Sequence, residues 1–492
     1  MANLTFDVGV GASRSARELD EGTPLHLLVL GAFSGGTVED LHPVSIGVDN
    51  FDAVMRRLIP EVTLDLSAQG MGKVTLAFED IDHFHPDSLY RRLDVVAELR
   101  ESRARLKDPA RFEAETARLL SDATEDSTGQ ASAPAPSSDD DDNVFSRLLG
   151  QEVGSGATAA RSTVDRMVAN LVTPHIQPGM GAEQDALVAS IDQAIAEYIR
   201  AVLHAPAFQA LEALWRAVHW LVYENPADEI AVTLADVSRD RLLTDFGATG
   251  GDITQSMMFR KLVTENQGPG ARAYHAVIAD LTFSASAEDI ALLADLGLVA
   301  GAAGAPLLAG AAPGLYGAGD VSRQDNFDAW APLDGDNAAR WESLRQSELA
   351  PWIGLAAPRM IGRLPYGRGT DEIERFDFTE LLPNAEHETF LWMNGAFACA
   401  QLLAAAYAAS GWNFTPGDAL DVMDLPLALY EAHGGQAIKP CAEVNLSERG
   451  AAALAGLGIM GLLSHRDRNA VRVAGFRSIA EPPTMLAGVW SG

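Results

Sequence analysis

The feature that most constrains this 492-residue chain is a break in composition between residues 122 and 142. Apolar periodicity stops there, and the segment is rich in Ser, Thr and Ala, carries Pro134 and Pro136, and closes on four consecutive aspartates from Asp139. Such a stretch buries too little apolar surface to offset its chain entropy, and its like charges keep it extended. It reads as an acidic linker over 122–142. An N-terminal domain over 1–121 precedes it, followed by a helical part over 143–200 and a core over 201–492. Hydrophobic residues make up 47% of the chain, enough to bury a core on both sides of the break.

Charge narrows the partners. Thirty-six Lys and Arg against 68 Asp and Glu leave a net −32, a field that repels nucleic-acid phosphates and anionic lipid heads. The expected partners are proteins or cations, with no nucleic acid. Cys399 and Cys441 are too few for a disulfide framework, and Cys399 sits in an apolar run as a small core residue. The N-terminus shows no basic stretch leading into an apolar one, so a cytoplasmic location is expected. Residues Phe390 to Ala409 approach the length of a membrane span, but they contain Asn394 and Gln401, favour alanine and lack basic flanks. A buried helix without membrane insertion is the expectation.

The elements alternate. Leu25 to Leu30 is a continuous apolar run closed by Gly31; Val62, Leu64 and Leu66, then Val74, Leu76 and Phe78, alternate as the two strands of a hairpin. Asp49 to Leu58 reads as a helix, and a second opens at Pro86 and continues to about Leu120. Beyond the break, a long helix runs from Gln184 to Leu203, stops at Pro206 and resumes through Leu211 and Val218. Ala273 to Leu281, a helix capped by Ser286, and Pro306 to Ala309 form a β-α-β crossover, which forces parallel strands. The pattern is mixed α/β without internal repeats.

Chemistry-bearing motifs are scarce. His83 and His85 follow Asp80 and Asp82, but no third and fourth ligand at metal-site spacing accompanies them. Gly9 to Ser13 and Gly301 to Gly304 lack the lysine of a phosphate loop and the full dinucleotide fingerprint. No nucleophile elbow, zincin motif or cysteine zinc pattern is present. Trp215 and Trp220 read as core residues, with Arg216 paired to a carboxylate beside them. No catalytic, cofactor-binding or metal residue is predicted, no cofactor is expected, and the chain does not read as an enzyme.

Two sets of residues carry a resemblance. Asp49-Asn50-Phe51-Asp52-Ala53-Val54-Met55 and Phe84-His85-Pro86 resemble the small subunit of the type VI secretion contractile sheath. Leu203-His204-Ala205-Pro206-Ala207-Phe208-Gln209-Ala210-Leu211-Glu212 with Trp215-Arg216 resembles its large subunit. The second likeness continues through Asp280, Phe283 and Ser284, Trp352-Ile353-Gly354-Leu355, Pro358-Arg359, Arg363-Leu364-Pro365-Tyr366-Gly367, Phe390-Leu391-Trp392-Met393-Asn394 and Glu443-Val444. In the family the two subunits are separate chains that form an obligate pair. This sequence is similar to both in one piece, which would fix their ratio and raise the effective concentration of one for the other.

The resemblance implies an α/β, phage-tail-sheath-like fold, with mixed sheets and flanking helices built from both halves of the fusion. It implies a structural protomer that meets other sheath subunits, an inner-tube protein and baseplate proteins. It further implies a short helix near the start of the large subunit that a AAA+ unfoldase grips for recycling. Phe145, Leu148 and Leu149 have the i, i+3, i+4 spacing of such anchors, and the same spacing would serve to pack them on the protein's own core. The family's large subunit continues past the region matching Phe476 to Ser478 with strands that tie protomers together, whereas this sequence reaches Gly492 without them. That favours a second reading, a sheath-related scaffold, cap or assembly factor that has the protomer fold but forms no long contractile polymer.

Overall fold

The computed structural model describes residues 22–35, 41–126, 172, 184–225, 229–266, 273–319, 330–432, 434–465 and 468–490. Its strands are β1 Leu25–Gly31, β2 Val44–Ile46, β3 Glu61–Asp65, β4 Lys73–Ala77, β5 Ile230–Asp236, β6 Ala276–Phe283, β7 Leu307–Ala311, β8 Ile353–Ala357, β9 Met360–Ile361, β10 Trp392–Met393, β11 Asp421–Val422, β12 Ala428–Ala432, β13 Gly435–Lys439, β14 Ile459–Ser464 and β15 Val471–Val473. Nine of them form one sheet in the order β11-β15-β14-β8-β7-β6-β1-β5-β2. The six from β14 to β5 are parallel, and β2, β15 and β11 add antiparallel edges.

The position of β1 decides the architecture. It lies between β5 and β6, with Leu27 opposite both Val232 and Ala276, so a strand from the N-terminal region occupies the interior of a sheet otherwise made by the rest of the chain. All seven of its residues are buried, the pattern of a parallel strand covered on both faces. Period-2 alternation then splits them: Leu25, Leu27 and Val29 enter one core, Leu28 and Leu30 the other. Burying these five side chains is worth on the order of 10 kcal/mol as an upper figure. Gly31 ends the strand in close approach to Leu214, where a Cβ would fall 2.8 Å from Cδ2.

Helices cover both faces. The principal ones are α1 Phe51–Leu58, α2 Pro86–Arg92, α3 Asp94–Lys107, α4 Phe112–Asp126, α5 Gln184–Leu203, α6 Pro206–Tyr223, α7 Arg239–Gly247, α8 Ala287–Ala303, α9 Gly335–Arg345, α10 Ala396–Ser410 and α11 Glu448–Gly456. Buried residues of α1 to α3, α5, α6 and α10 share the first core with Leu27; those of α7 to α9 and α11 share the second with Leu28. The crossover through α8 is as expected, with Ser286 Oγ accepting the Asp289 N–H at 3.1 Å.

The single helix expected from Pro86 to about Leu120 is instead three. Leu93 is extended at φ −76°, ψ 121°, and Asp108 at φ −86°, ψ 113°. At Asp108 the cause is Pro109, whose ring disfavours helical geometry in the residue before it. The third piece, α4, continues to Asp126, into the stretch read as linker; residues 127–171 lie outside those described. The apolar run from Phe390 also divides. Trp392 and Met393 pair as β10 with β9, and Asn394 starts a new element by accepting the Ala396 N–H and donating to the Leu281 carbonyl. The 15-residue α10 that follows is about 22 Å long. No helix among the described residues is long and apolar enough to cross a membrane.

A strand shared in this way makes covalent continuity unnecessary for association. Cutting the chain at a protease site placed within 122–142 is expected to leave two fragments that co-elute on gel filtration in native buffer and separate only in denaturant.

Candidate functional site

The motifs that stood apart in the sequence meet in space. Arg363, just after β9, inserts a guanidinium that is 8% exposed between Glu212 on α6 and Glu380, which are 0% and 1% exposed. Its Nε donates to Glu212 Oε1 at 2.8 Å, and its Nη1 and Nη2 donate to the two oxygens of Glu380 at 2.7 and 2.9 Å. Arg216, one turn beyond Glu212, donates to Glu212 Oε1 at 2.7 Å and to the Tyr366 hydroxyl at 2.8 Å. The Tyr366 amide donates to Glu380 Oε2 at 2.7 Å, and Arg363 stacks over the Tyr366 ring at 4.0 Å. His204 Nε2 approaches Glu380 Oε1 only to 3.7 Å, too far for a hydrogen bond.

Electrostatics follow from this geometry. Burial by itself would push the Glu380 carboxyl up, but the Arg363 charge and the hydrogen bonds it receives outweigh that and hold it at about 2. Tyr366, buried and beside two carboxylates, has its hydroxyl pushed well up despite two nearby guanidiniums. The planar fork of arginine suits this double grip, which lysine could not reproduce.

A second cluster lies where β8 turns into β9. Arg359 donates through its backbone N, Nε and Nη2 to Glu443, which is 3% exposed, and through Nη2 to both oxygens of Glu388 at 3.0 and 3.1 Å. His387 Nε2 reaches Glu443 Oε1 at 3.0 Å, and Lys439 Nζ reaches His387 Nδ1 at 2.8 Å. Burial opposes ionisation of Glu443, yet the His387 and Arg359 hydrogen bonds hold it at about 2. His387, Glu388 and Glu443 lie close enough to share a cation. Their donor atoms are already engaged by Arg359 and Lys439, so the group reads as an ion cluster.

The seam with the N-terminal region is aromatic. Phe78 stacks on Phe84 at 4.1 Å, and both meet Phe208 edge-on at 5.8 and 5.6 Å. Trp215 meets Phe33 and Phe51 edge-on and donates from Nε1 to the Phe33 carbonyl at 3.2 Å. Asp87 on α2 accepts the Glu374 and Arg375 amides at 3.1 and 3.0 Å, Tyr90 stacks on Phe376 at 4.6 Å, and His85 meets the Tyr366 ring at 4.9 Å. On the helical side Arg103 grips Asp192 at 2.5 and 2.9 Å.

Sequence reading placed Trp215 in the core and expected Arg216 to pair with a neighbouring carboxylate; Glu212 is that partner. It did not find Arg363, Glu380, Arg359 or Glu443 as partners, since they come from segments up to 168 positions apart (212 to 380) with no periodicity linking them. Phe145, Leu148 and Leu149 lie outside the described residues.

An α/β body completed by its own N-terminal strand and held by buried ion clusters is a structural unit. Its class follows from comparison with family models: one described as "EvpB/VC_A0108, tail sheath N-terminal domain" matches residues 185–480, well over half the chain. A second, described as "Type VI secretion system, VipA, VC_A0107 or Hcp2", matches residues 2–128. The chain belongs to the type VI secretion tail-sheath family and is a structural sheath protein. Among characterised proteins it is similar to the type VI secretion system sheath protein TssC1 of Pseudomonas aeruginosa, 30% identical over 356 residues that cover 69% of this chain and 71% of that protein.

Two outcomes are expected from the ion clusters. Replacing Arg363 by alanine leaves the buried Glu380 carboxylate without a countercharge, while Glu212 keeps Arg216, and should destabilise the fold by about 3–5 kcal/mol in chemical denaturation. Glu380 and Glu443 titrate near 2 in the folded state against an ordinary 4.5. Their stabilisation is therefore complete above about 4.5 and disappears as pH falls toward 2. Asp280 and Asp295, pushed up to about 6 by burial, act in the opposite sense and relieve their cost as pH drops below 6. Thermal midpoints should thus peak near pH 4, where the two opposing linkages balance, and the fall below that peak should be shallower in Glu380→Gln.

Proposed function

We propose that this chain is a contractile-sheath protomer, a small-subunit-like domain joined to a large-subunit-like one, that assembles in the cytoplasm with its own copies or other sheath subunits around an inner-tube protein and on a baseplate. The observation that carries this reading is the coincidence of two family matches on one chain with a sheet whose interior strand comes from the first. The domain division at 122–142 and a phage-tail-sheath-like fold are part of the same proposal. So is recycling by a AAA+ unfoldase through Phe145, Leu148 and Leu149.

Such a subunit does its work through a free-energy difference between two packings, so the reading assigns it no catalytic residue and no cofactor. It requires a body that moves as one piece and does not yield internally when neighbours shift. Buried arginine–carboxylate grips and a shared sheet supply that stiffness. The surface presents the complementary problem: a net −32 per copy repels like copies, and the repulsion weakens as salt shortens its range from about 30 Å at 0.01 M to about 8 Å at 0.15 M.

Electron microscopy of the purified full chain tests the reading. Long hollow helical tubes are expected, with a yield that rises from low to physiological salt; monomers or small rings alone under all conditions contradict it. In a pull-down with a sheath-recycling unfoldase, changing Phe145, Leu148 and Leu149 together to alanine is expected to abolish capture. Unchanged capture would remove the unfoldase from the proposal.

A further inference from the structure

The second ion cluster contains a nucleophile that the mechanical role does not use. Lys439 is one of four lysines. Lys73 pairs with Asp65 and Lys261 with Glu265, whereas Lys439 Nζ lies 2.8 Å from an imidazole nitrogen, His387 Nδ1. The other ring nitrogen, Nε2, faces Glu443 Oε1 at 3.0 Å. An ionised carboxylate only accepts, so the ring proton sits on Nε2 and Nδ1 offers its lone pair to the amine. Glu443, His387 and Lys439 therefore stand in the order orienting carboxylate, base, nucleophile, the arrangement that activates side chains for attack.

Burial favours the neutral amine, whereas the aromatic faces beside it hold the charged one. Lys439 is half-buried, with its Nζ over the Phe390 ring at 4.8 Å and the Trp392 ring at 5.3 Å. Burial lowers its pKa to about 8, although Glu443 and Glu388 pull the other way. Those two carboxylates are themselves shared with Arg359, which tempers that pull.

We propose that Lys439 is a selective acylation site. Its amine attacks the carbonyl carbon of an activated acyl donor such as a thioester; the N–C bond forms and the C–S bond breaks. The proton lost from nitrogen passes to His387 Nδ1 and then to the departing thiolate, so amine and thioester give amide and thiol with no change in oxidation state. The product loses the positive charge, and with it the contact over Phe390 and Trp392. Lys439 closes β13, whose partner β12 packs Tyr430 on Phe390 at 5.4 Å. Acylation thus acts on the attachment of a hairpin whose outer face pairs Leu429 with Ile438, 54% and 59% exposed.

Trace labelling of the full chain with acetic anhydride from about pH 6 to about pH 10, read at each lysine by peptide mass spectrometry, tests this. Lys439 is expected to titrate near pH 8 and there to react roughly tenfold faster than Lys107. His387→Gln should slow Lys439 severalfold at pH 8 and leave Lys73 and Lys107 unchanged. The wild-type profile decides even if that variant does not fold: a Lys439 that titrates with the other lysines, or reacts more slowly than Lys107 at every pH, overturns the proposal.

Discussion

The structure depends on a seven-residue strand, Leu25–Gly31, that pairs on both sides with strands the chain reaches only at residues 230 and 276. Neither β5 nor β6 has its inner neighbour without it, and the two would otherwise face each other across a gap of one strand width. Because successive side chains of β1 point to opposite faces, this strand also ties together the two cores that flank the sheet. The N-terminal region accordingly shares its sheet and both cores with the rest.

Around that sheet the polar interior is organised by arginine. Taking Arg363, Glu212 and Glu380 out of water carries a large desolvation cost, and an apolar trio of the same shape would be as stable or more so. What the charges add is direction: each grip is satisfied in one relative placement of α6, the segment after β9 and the segment at residue 380. For a structural sheath subunit, a unique internal arrangement matters more than the last increment of stability. Arg359 does the same for the turn after β8, using Glu443 and Glu388.

Much of the architecture was legible because it rests on local patterns. The apolar run at Leu25, the Val62 to Phe78 hairpin, the Gln184–Leu203 helix and the crossover capped by Ser286 all appear where periodicity and capping put them. The apolar spacing after Pro86 suggests one long helix because it carries no sign of the extended Leu93, and the surrounding helix formers mask the break that Pro109 imposes at Asp108. The apolar stretch at Phe390 was read as one helix because apolar character does not distinguish a buried strand from a helix over four residues. The ion clusters were half visible: Arg216 and Glu212 share a helix face at i, i+4, whereas Arg363, Glu380 and Glu443 meet only once the chain has folded, and no spacing rule joins them. The insertion of β1 was unreadable for the same reason, since a fully apolar strand shows that it is buried but not between which neighbours.

Native-state hydrogen exchange followed by mass spectrometry addresses the central claim directly. If β1 is an interior strand of one cooperative sheet, its amides should exchange as slowly as those of β5 and β6 and with the same denaturant dependence, opening only with the whole unit. Amides of Leu25–Gly31 that exchange faster than β5 and β6, through an opening that leaves those strands protected, would contradict the account.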